Sequence, residues 1–278
     1  MSRLRRTLLS ESQTLRGIGL HSGHAVTLRL CPAPPGAGLV FVNGRGGQEI
    51  PARAENVVDT SRCTILGQAE AQVQTVEHVL AALSALGVDD ARIETSGGEM
   101  PAMDGSAPPF VHLAQAAGLR EHGQDAVQPL VVTTPMAVQG KDGAALAALP
   151  WDGFRVSVVL DYPAHAFLGT SAATFGGGPD EFEQQIAPAR TYGFLAELDW
   201  LKAHGLALGA SIDNAVALGE TGYETRLRFS NELARHKLLD VLGDLALAGR
   251  PIQAHIMAWK PGHALNVALA RLLREGAQ

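Results

Sequence analysis

The sequence predicts an α+β protein made of two similar units, and three observations predict it. Strand-like and helix-like runs alternate in both halves of the 278-residue chain. Each half carries a helix with a histidine near its start, His78 in one and His236 in the other, leading through a glycine-containing turn into a strand. Between the halves lies a polar, turn-rich stretch, Glu121-His122-Gly123-Gln124-Asp125, which puts expected domains at 1–122 and 127–278.

In the first half, residues 25–30 alternate apolar and polar, as a half-buried strand does, and residues 39–42 form a second short strand after the Pro-rich turn at 32–36. Thr75 is the expected N-cap of an Ala/Leu-rich helix over 77–86, stopped by Gly87. A strand at 91–95, a loop at 101–106 and a helix at 109–117 closed by Gly118 complete the unit. The second half is expected to hold strands at 130–132, 155–160 and 252–259, with helices over 194–202 and 231–247.

Composition narrows the function. A formal charge of −6 opposes bulk nucleic-acid binding, which needs a basic field. Two cysteines, Cys31 and Cys63, without a CxxC pair, do not make a disulfide framework and fit a reducing cytoplasm. The basic start Arg3-Leu4-Arg5-Arg6 is followed by Ser10-Glu11-Ser12-Gln13 rather than an apolar core, so it does not read as a signal peptide. No apolar run reaches about 18 residues, so no membrane span is expected, while peripheral membrane contact stays open.

The chemistry concentrates in three places. On a helix, His236, Asp240 and Asp244 share one face in a segment otherwise rich in Leu and Val. A His and a carboxylate four apart can grip one metal ion from successive turns. Glu77 and His78 supply a neighbouring pair on a second helix: one side chain can bind a metal and the other face its water. His78, His236 and Asp240 then make three protein ligands with an open position, the pattern of catalytic rather than structural zinc, and Glu77 is left as a general base. His263, delivered by the Lys260-Pro261-Gly262 turn, is a candidate acid. Cys63 reads as a small apolar residue near the site and not as a nucleophile, because no base neighbours it in sequence.

Six motifs lie in order along the chain: Gly19-Leu20-His21-Ser22-Gly23, Thr75-Val76-Glu77-His78, Met103-Asp104-Gly105-Ser106-Ala107, Ala189-Arg190-Thr191-Tyr192-Gly193-Phe194, Arg235-His236-Lys237-x-x-Asp240-x-x-Gly243-Asp244, and Gly262-His263-x-Leu265-Asn266. Together they resemble the zinc-dependent UDP-3-O-acyl-N-acetylglucosamine deacetylases of lipid A biosynthesis. The resemblance implies two α+β domains, each a sheet layered against helices, with the active site between them. It implies Zn2+ on His78, His236 and Asp240, Glu77 as base, His263 as cationic acid oriented by Asp244, and Thr191 polarising the substrate carbonyl. It places Lys237 at the substrate's nucleotide-diphosphate end, with Tyr192, Phe194 and Cys63 among the residues around the substrate. It also implies a small strand insert in the first domain and, around 160–190, an insert that forms an apolar passage for the acyl chain. The implied partner is a small acylated nucleotide sugar, handled by a monomer. Tyr192 stands where the family usually has Phe, and Gly209-Ala210, Leu233-Ala234 and the 161–165 segment also depart, all touching substrate fit more than metal chemistry. Spacing alone leaves two other readings open: a metal hydrolase of a different amide or ester, and a non-catalytic nucleotide-sugar or acyl-chain binding protein. Glu77 beside the metal ligands weighs against the second.

Overall fold

The computed structural model describes residues 3–44 and 47–277. The chain is α+β, and its two main sheets share one topology. The first contains β1 (Leu15–Ile18), β2 (Ala25–Pro32), β3 (Leu39–Asn43), β4 (Glu49–Pro51) and, after helix α1 (Glu77–Ala85), β5 (Ala91–Thr95). Helix α2 (Pro108–Ala117) follows. The second contains β6 (Met136–Gln139), β7 (Ala145–Leu149), β8 (Phe154–Tyr162) and β9 (Gly169–Phe175), which helix α3 (Leu195–Ala203) and then helix α4 (Glu232–Ala246) separate from β10 (Ile252–Trp259); helix α5 (His263–Gly276) closes it.

The strand orders are β1-β2-β5-β3-β4 and β6-β7-β10-β8-β9, with Leu130–Val131 added beside β10. In each sheet the last strand enters the middle, antiparallel to the second and parallel to the third. Parallel neighbours need a crossover, and α1 and α4 supply it. Both crossover helices are buried along most of their length, α1 being mostly apolar and α4 adding one stripe of titratable side chains to its Leu and Val residues. They pack on each other, with α2 against α1 and α5 against α4. One core runs from Leu28, Phe41 and Ile93 of the first sheet through Leu80 and Leu239 to Ile256 of the second. Each of these side chains contributes about 1.5–3 kcal/mol by leaving water.

Both halves carry an extra segment at the same point of this topology, between the fourth strand and the crossover helix. In the first half it is a three-stranded sheet, Val57–Asp59, Ile65–Gln68 and Ala71–Gln74. In the second it includes a parallel strand pair, Tyr192–Phe194 with Val216–Leu218, connected through α3.

Three local expectations are corrected. Residues 121–125 are not a turn: they lie in the strand Leu119–Val127, which pairs antiparallel with Arg3–Leu8 around a bulge. Thr75 does not cap α1; the residue before the helix is Val76, and Thr75 has a left-handed φ of 59°, an outlier for a β-branched residue. His263 is the first residue of α5 rather than part of a turn. The apolar residues of the 160–190 segment also divide: Phe175, Phe182 and Ile186 are buried in the core, while Tyr162, Phe167 and Leu168 are partly exposed.

Candidate metal centre and active site

Gly243 explains why α1 and α4 can meet closely. A Cβ there would stand 2.0 Å from the Glu77 carbonyl oxygen, so only glycine lets the two helices cross at this point. That crossing brings the start of α1, with Glu77 and His78, against the face of α4 that carries His236, Asp240 and Asp244.

His78, His236 and Asp240 are buried, and their ligating atoms lie within 4.8 Å of one another. Asp240 Oδ1 is 3.4 Å from His236 Nε2 and 3.7 Å from His78 Nε2, and it makes no hydrogen bond. A buried carboxylate oxygen left without a donor between two imidazole nitrogens is what a divalent cation would satisfy, so the donor set fits a metal. The remaining atoms hold these three in place. Asp240 Oδ2 accepts from Lys237 Nζ at 2.9 Å. His236 Nδ1 lies 3.1 Å from the Ala189 carbonyl, which can only accept, so Nε2 keeps its lone pair. Burial, only partly offset by Asp240, lowers His236 to about 4 and keeps it neutral. Burial would raise Asp240, but the Lys237 charge, with the neighbouring His236 and His78 imidazoles, outweighs it and holds this carboxyl well below its usual range.

The proton-handling groups form a second buried set. Glu77 Oε2 accepts from the Thr64 backbone N–H at 3.1 Å, and burial raises its pKa against the pull of His263 and His78. Asp244 accepts from Thr64 Oγ1 at 2.5 Å, from His263 Nδ1 at 2.9 Å and from Asn266 Nδ2 at 2.9 Å. Burial pulls the His263 imidazolium down, but the Asp244 charge and hydrogen bond, reinforced by Glu77 and Asp240, lift it to about 9. The result is a buried carboxylate, a donor set that could hold a metal and an imidazolium, which together could serve attack on a carbonyl and protonation of a leaving group.

Thr191 and Tyr192 connect this centre to an apolar cavity of about 220 Å3, lined also by Leu20, Phe194, Leu198, Ile212 and Ala215. The Tyr192 ring stands edge-on to His236 at 6.2 Å, and its hydroxyl meets that of Tyr162 at 2.7 Å. Phe194 stacks on His165 at 4.5 Å. Thr191 is pinned from both sides, its N–H donating to Gly105 and its carbonyl accepting from Val216. The neighbouring Arg190 is locked to Glu232 by a buried ion pair of 2.9 Å.

Of the residues singled out from sequence, His78, His236, Asp240, Glu77, Asp244 and His263 come together. Thr191, Tyr192 and Phe194 border the cavity, and Lys237 faces Asp240. Cys63, expected near the substrate, is 2% exposed, and burial with the adjacent Glu77 carboxylate pushes its thiol far up. Sequence reasoning missed Thr64, which bonds Glu77 and Asp244 at once, and the role of Asn266 on Asp244. It also missed Glu99, whose buried carboxylate accepts from the His21 and Ser22 N–H groups at 2.8 and 2.9 Å. A signal for Glu99 was present: a Cβ at Gly19 would come within 2.1 Å of that carboxylate, so Gly19 is there to admit it.

Comparison with known proteins gives the chain a family. The model of the family described as LpxC, UDP-3-O-acyl N-acetylglycosamine deacetylase, matches residues 5–275. The chain is 46% identical over 268 residues to the UDP-3-O-acyl-N-acetylglucosamine deacetylase of Myxococcus xanthus, covering 95% of this chain and 84% of that protein. It is 42% identical over 274 residues to the protein of that name from Leptospira biflexa, and 41% identical over 276 residues to that from Pseudomonas entomophila, covering 97% of this chain and 90% of each relative. No helix among the described residues is long and apolar enough to cross a membrane. A family match over residues 5–275, with relatives at 41–46% identity across nearly the whole chain, places the chain in the UDP-3-O-acyl N-acetylglycosamine deacetylase family.

Proposed function

We propose that this protein removes the N-acetyl group from UDP-3-O-acyl-N-acetylglucosamine, releasing acetate and a free amine, in lipid A biosynthesis. Family membership supports the reaction, and the observation that carries it is the unpartnered Asp240 Oδ1 facing two imidazole nitrogens, with a buried Glu77 beside them. His78, His236 and Asp240 would hold the ion, and three ligands of nitrogen and oxygen suit Zn2+. When bound, the ion supplies Lewis acidity toward the acetamide carbonyl and makes water easier to deprotonate.

This chain's own groups do the rest. Glu77 accepts the proton of the attacking water, and its raised pKa makes it a stronger base than an exposed glutamate. The Thr191 hydroxyl and the His263 imidazolium stabilise the oxygen that gains charge. His263 then donates its Nε2 proton to the departing amine, with Asp244 on Nδ1 fixing the ring and stabilising the cation. Lys237, bonded to Asp240, orients that carboxylate and presents positive charge toward the substrate's diphosphate. The acyl chain enters the apolar cavity between Tyr192–Phe194 and α3. We place the enzyme in the cytoplasm, a reading that its two free, buried cysteines support, and take it to act as a monomer.

The test is acetate release from the acylated nucleotide sugar. Chelation should abolish it and Zn2+ should restore it better than Mg2+. Absence of acetate release by Zn2+-loaded protein would remove the assignment.

A further inference from the structure

About 10 Å along α1 from Glu77, at the far ends of α1 and α4, the protein encloses a second polar cavity. It measures about 80 Å3 and is lined by Arg3, Arg5, Arg53, Arg250, Asp89 and Ser84 among others. Four arginines and one aspartate therefore line it, and the arginines come from separate parts of the chain: the N-terminal strand, the first half's sheet region and the turn after α4.

Local partners absorb this charge only in part. Arg3 is held by Asp89 at 2.6 and 2.9 Å. Arg5 reaches both Asp90 oxygens at 3.3 Å, but Asp90 already accepts from the Gly38 N–H at 2.7 Å. Arg250 spends Nε and one terminal nitrogen on the Gln128 and Pro129 carbonyls. The Arg53 side chain has no hydrogen bond or ion pair among the described residues. Its guanidinium lies across Gly249, at φ +75°, where a Cβ would stand 2.3 Å from it. Its electrostatic neighbours include two like charges, Arg274 and Arg5. The nearby carboxylate, Glu55, is paired with Arg274 at 3.2 Å. Burial, and then those like charges, pull the Arg53 guanidinium below its ordinary value. A half-buried cation whose nearby carboxylate is already paired with another arginine is poorly compensated, and its place among three further arginines invites an anion.

We propose that this cradle is an anion site for a phosphate group, either inorganic phosphate or a phosphate monoester, gripped by Arg53 together with Arg5, Arg3 and Arg250. Guanidinium forks match phosphate oxygens two at a time, and a tetrahedral anion can meet forks arriving from several directions where a flat carboxylate cannot. A second cavity of about 310 Å3 shares Arg3, Ser84 and Arg250 with the first and adds Phe154, Phe175 and Leu242, leaving room for an organic group on the phosphate. The bound anion ties together the N-terminal strand, the first half and the end of α4, behind the helices that carry the metal ligands.

The test is thermal denaturation of the metal-loaded protein, titrated with phosphate against chloride at constant ionic strength. Phosphate should raise the melting temperature by mass action. Arg53→Gln should weaken the apparent phosphate affinity at least ~10-fold while leaving acetate release unchanged. Ser84→Asp keeps all four arginines and puts a carboxylate at the exposed mouth of the cradle, so it should also abolish the response. Phenyl phosphate, too short to fill the acyl cavity, binding more tightly than inorganic phosphate in the native protein but not in Arg53→Gln would identify an organic monoester as the occupant, and equal affinity would identify inorganic phosphate. A phosphate response that survives both substitutions, or one no larger than that to chloride, overturns the proposal.

Discussion

His263 Nδ1 lies 2.9 Å from Asp244 Oδ2, and this contact holds as a cation an imidazole that burial and a helix N-terminus both disfavour. Asp244 is held in place for this because Thr64 and Asn266 donate to it as well. The sign of the pH effect follows. His263 must carry its proton to donate it, so activity should fall as pH rises through about 9. Asp244→Asn removes the main upward influence and leaves burial, so the basic limb of kcat/KM should move to lower pH. His263→Gln should lose that limb and a factor of ~10²–10⁴ in rate. An unmoved limb in Asp244→Asn would show that another group sets it.

Ligand and base substitutions should separate cleanly. His78→Ala and Asp240→Ala should lose both bound metal and activity. Glu77→Gln should keep the metal, since Glu77 bonds the Thr64 N–H rather than joining the triad, and should lose ~10²–10⁴ in rate. Lys237→Met should fall between them, weakening metal affinity or activity by ~10–100-fold, because it frees Asp240 Oδ2. Metal content by elemental analysis, measured alongside initial rates, checks all four.

Gly243→Ala should be costly out of proportion to one methyl group. Its Cβ would meet the Glu77 carbonyl oxygen at 2.0 Å and the Glu77 carbonyl carbon at 2.7 Å, both backbone atoms of a buried helix. Pushing α1 from α4 should destabilise the protein by about 1–3 kcal/mol and lower the rate by moving Glu77 from the metal ligands. Thermal unfolding and turnover together test this. A variant of normal stability and rate would mean that the helices slide apart freely.

The parts of the site legible in sequence were those written at helical spacing. His236, Asp240 and Asp244 are four apart, and Glu77 with His78 opens an apolar helix, so one period predicted both the elements and their faces. The parts that were not legible act across long stretches of chain: Thr64 lies in the first extra segment, Asn266 in α5 and Glu99 just after β5. Thr64 leads into one of that segment's strands and acts 180 residues away on Asp244, a relation that no local pattern encodes. Thr75 resembled a cap because Ser and Thr usually are one, but tertiary contacts hold it left-handed beside Glu99. In the aromatic-rich 160–190 segment, Phe182 and Ile186 fill the core as their spacing of four suggests, and the cavity lies beyond them. Residues 121–125 carry turn-type side chains but are extended because Arg3–Leu8 offers them a partner strand.

Substrate discrimination should follow from that cavity. Its lining of Leu20, Phe194, Leu198, Ile212 and Ala215 is apolar, it begins at Thr191 and Tyr192, and it lies in a β-α-β segment attached outside the main sheets. An alkyl chain entering it gains about 0.8 kcal/mol per methylene, so roughly two methylenes should change kcat/KM tenfold until the space is filled. Beyond that length the gain should stop, since about 220 Å3 is a finite volume. UDP-N-acetylglucosamine without the 3-O-acyl group should therefore be poorer by at least ~10² in kcat/KM. Ala215→Trp, which fills the cavity without touching the metal ligands, should lower kcat/KM for long-chain substrates and leave the unacylated sugar nearly unaffected. Measuring a chain-length series with both proteins decides the matter. Parallel losses on all substrates would mean that the tryptophan disturbs Thr191 or His236 instead, and equal turnover of acylated and unacylated sugars would remove the cavity from substrate recognition while leaving the metal chemistry intact.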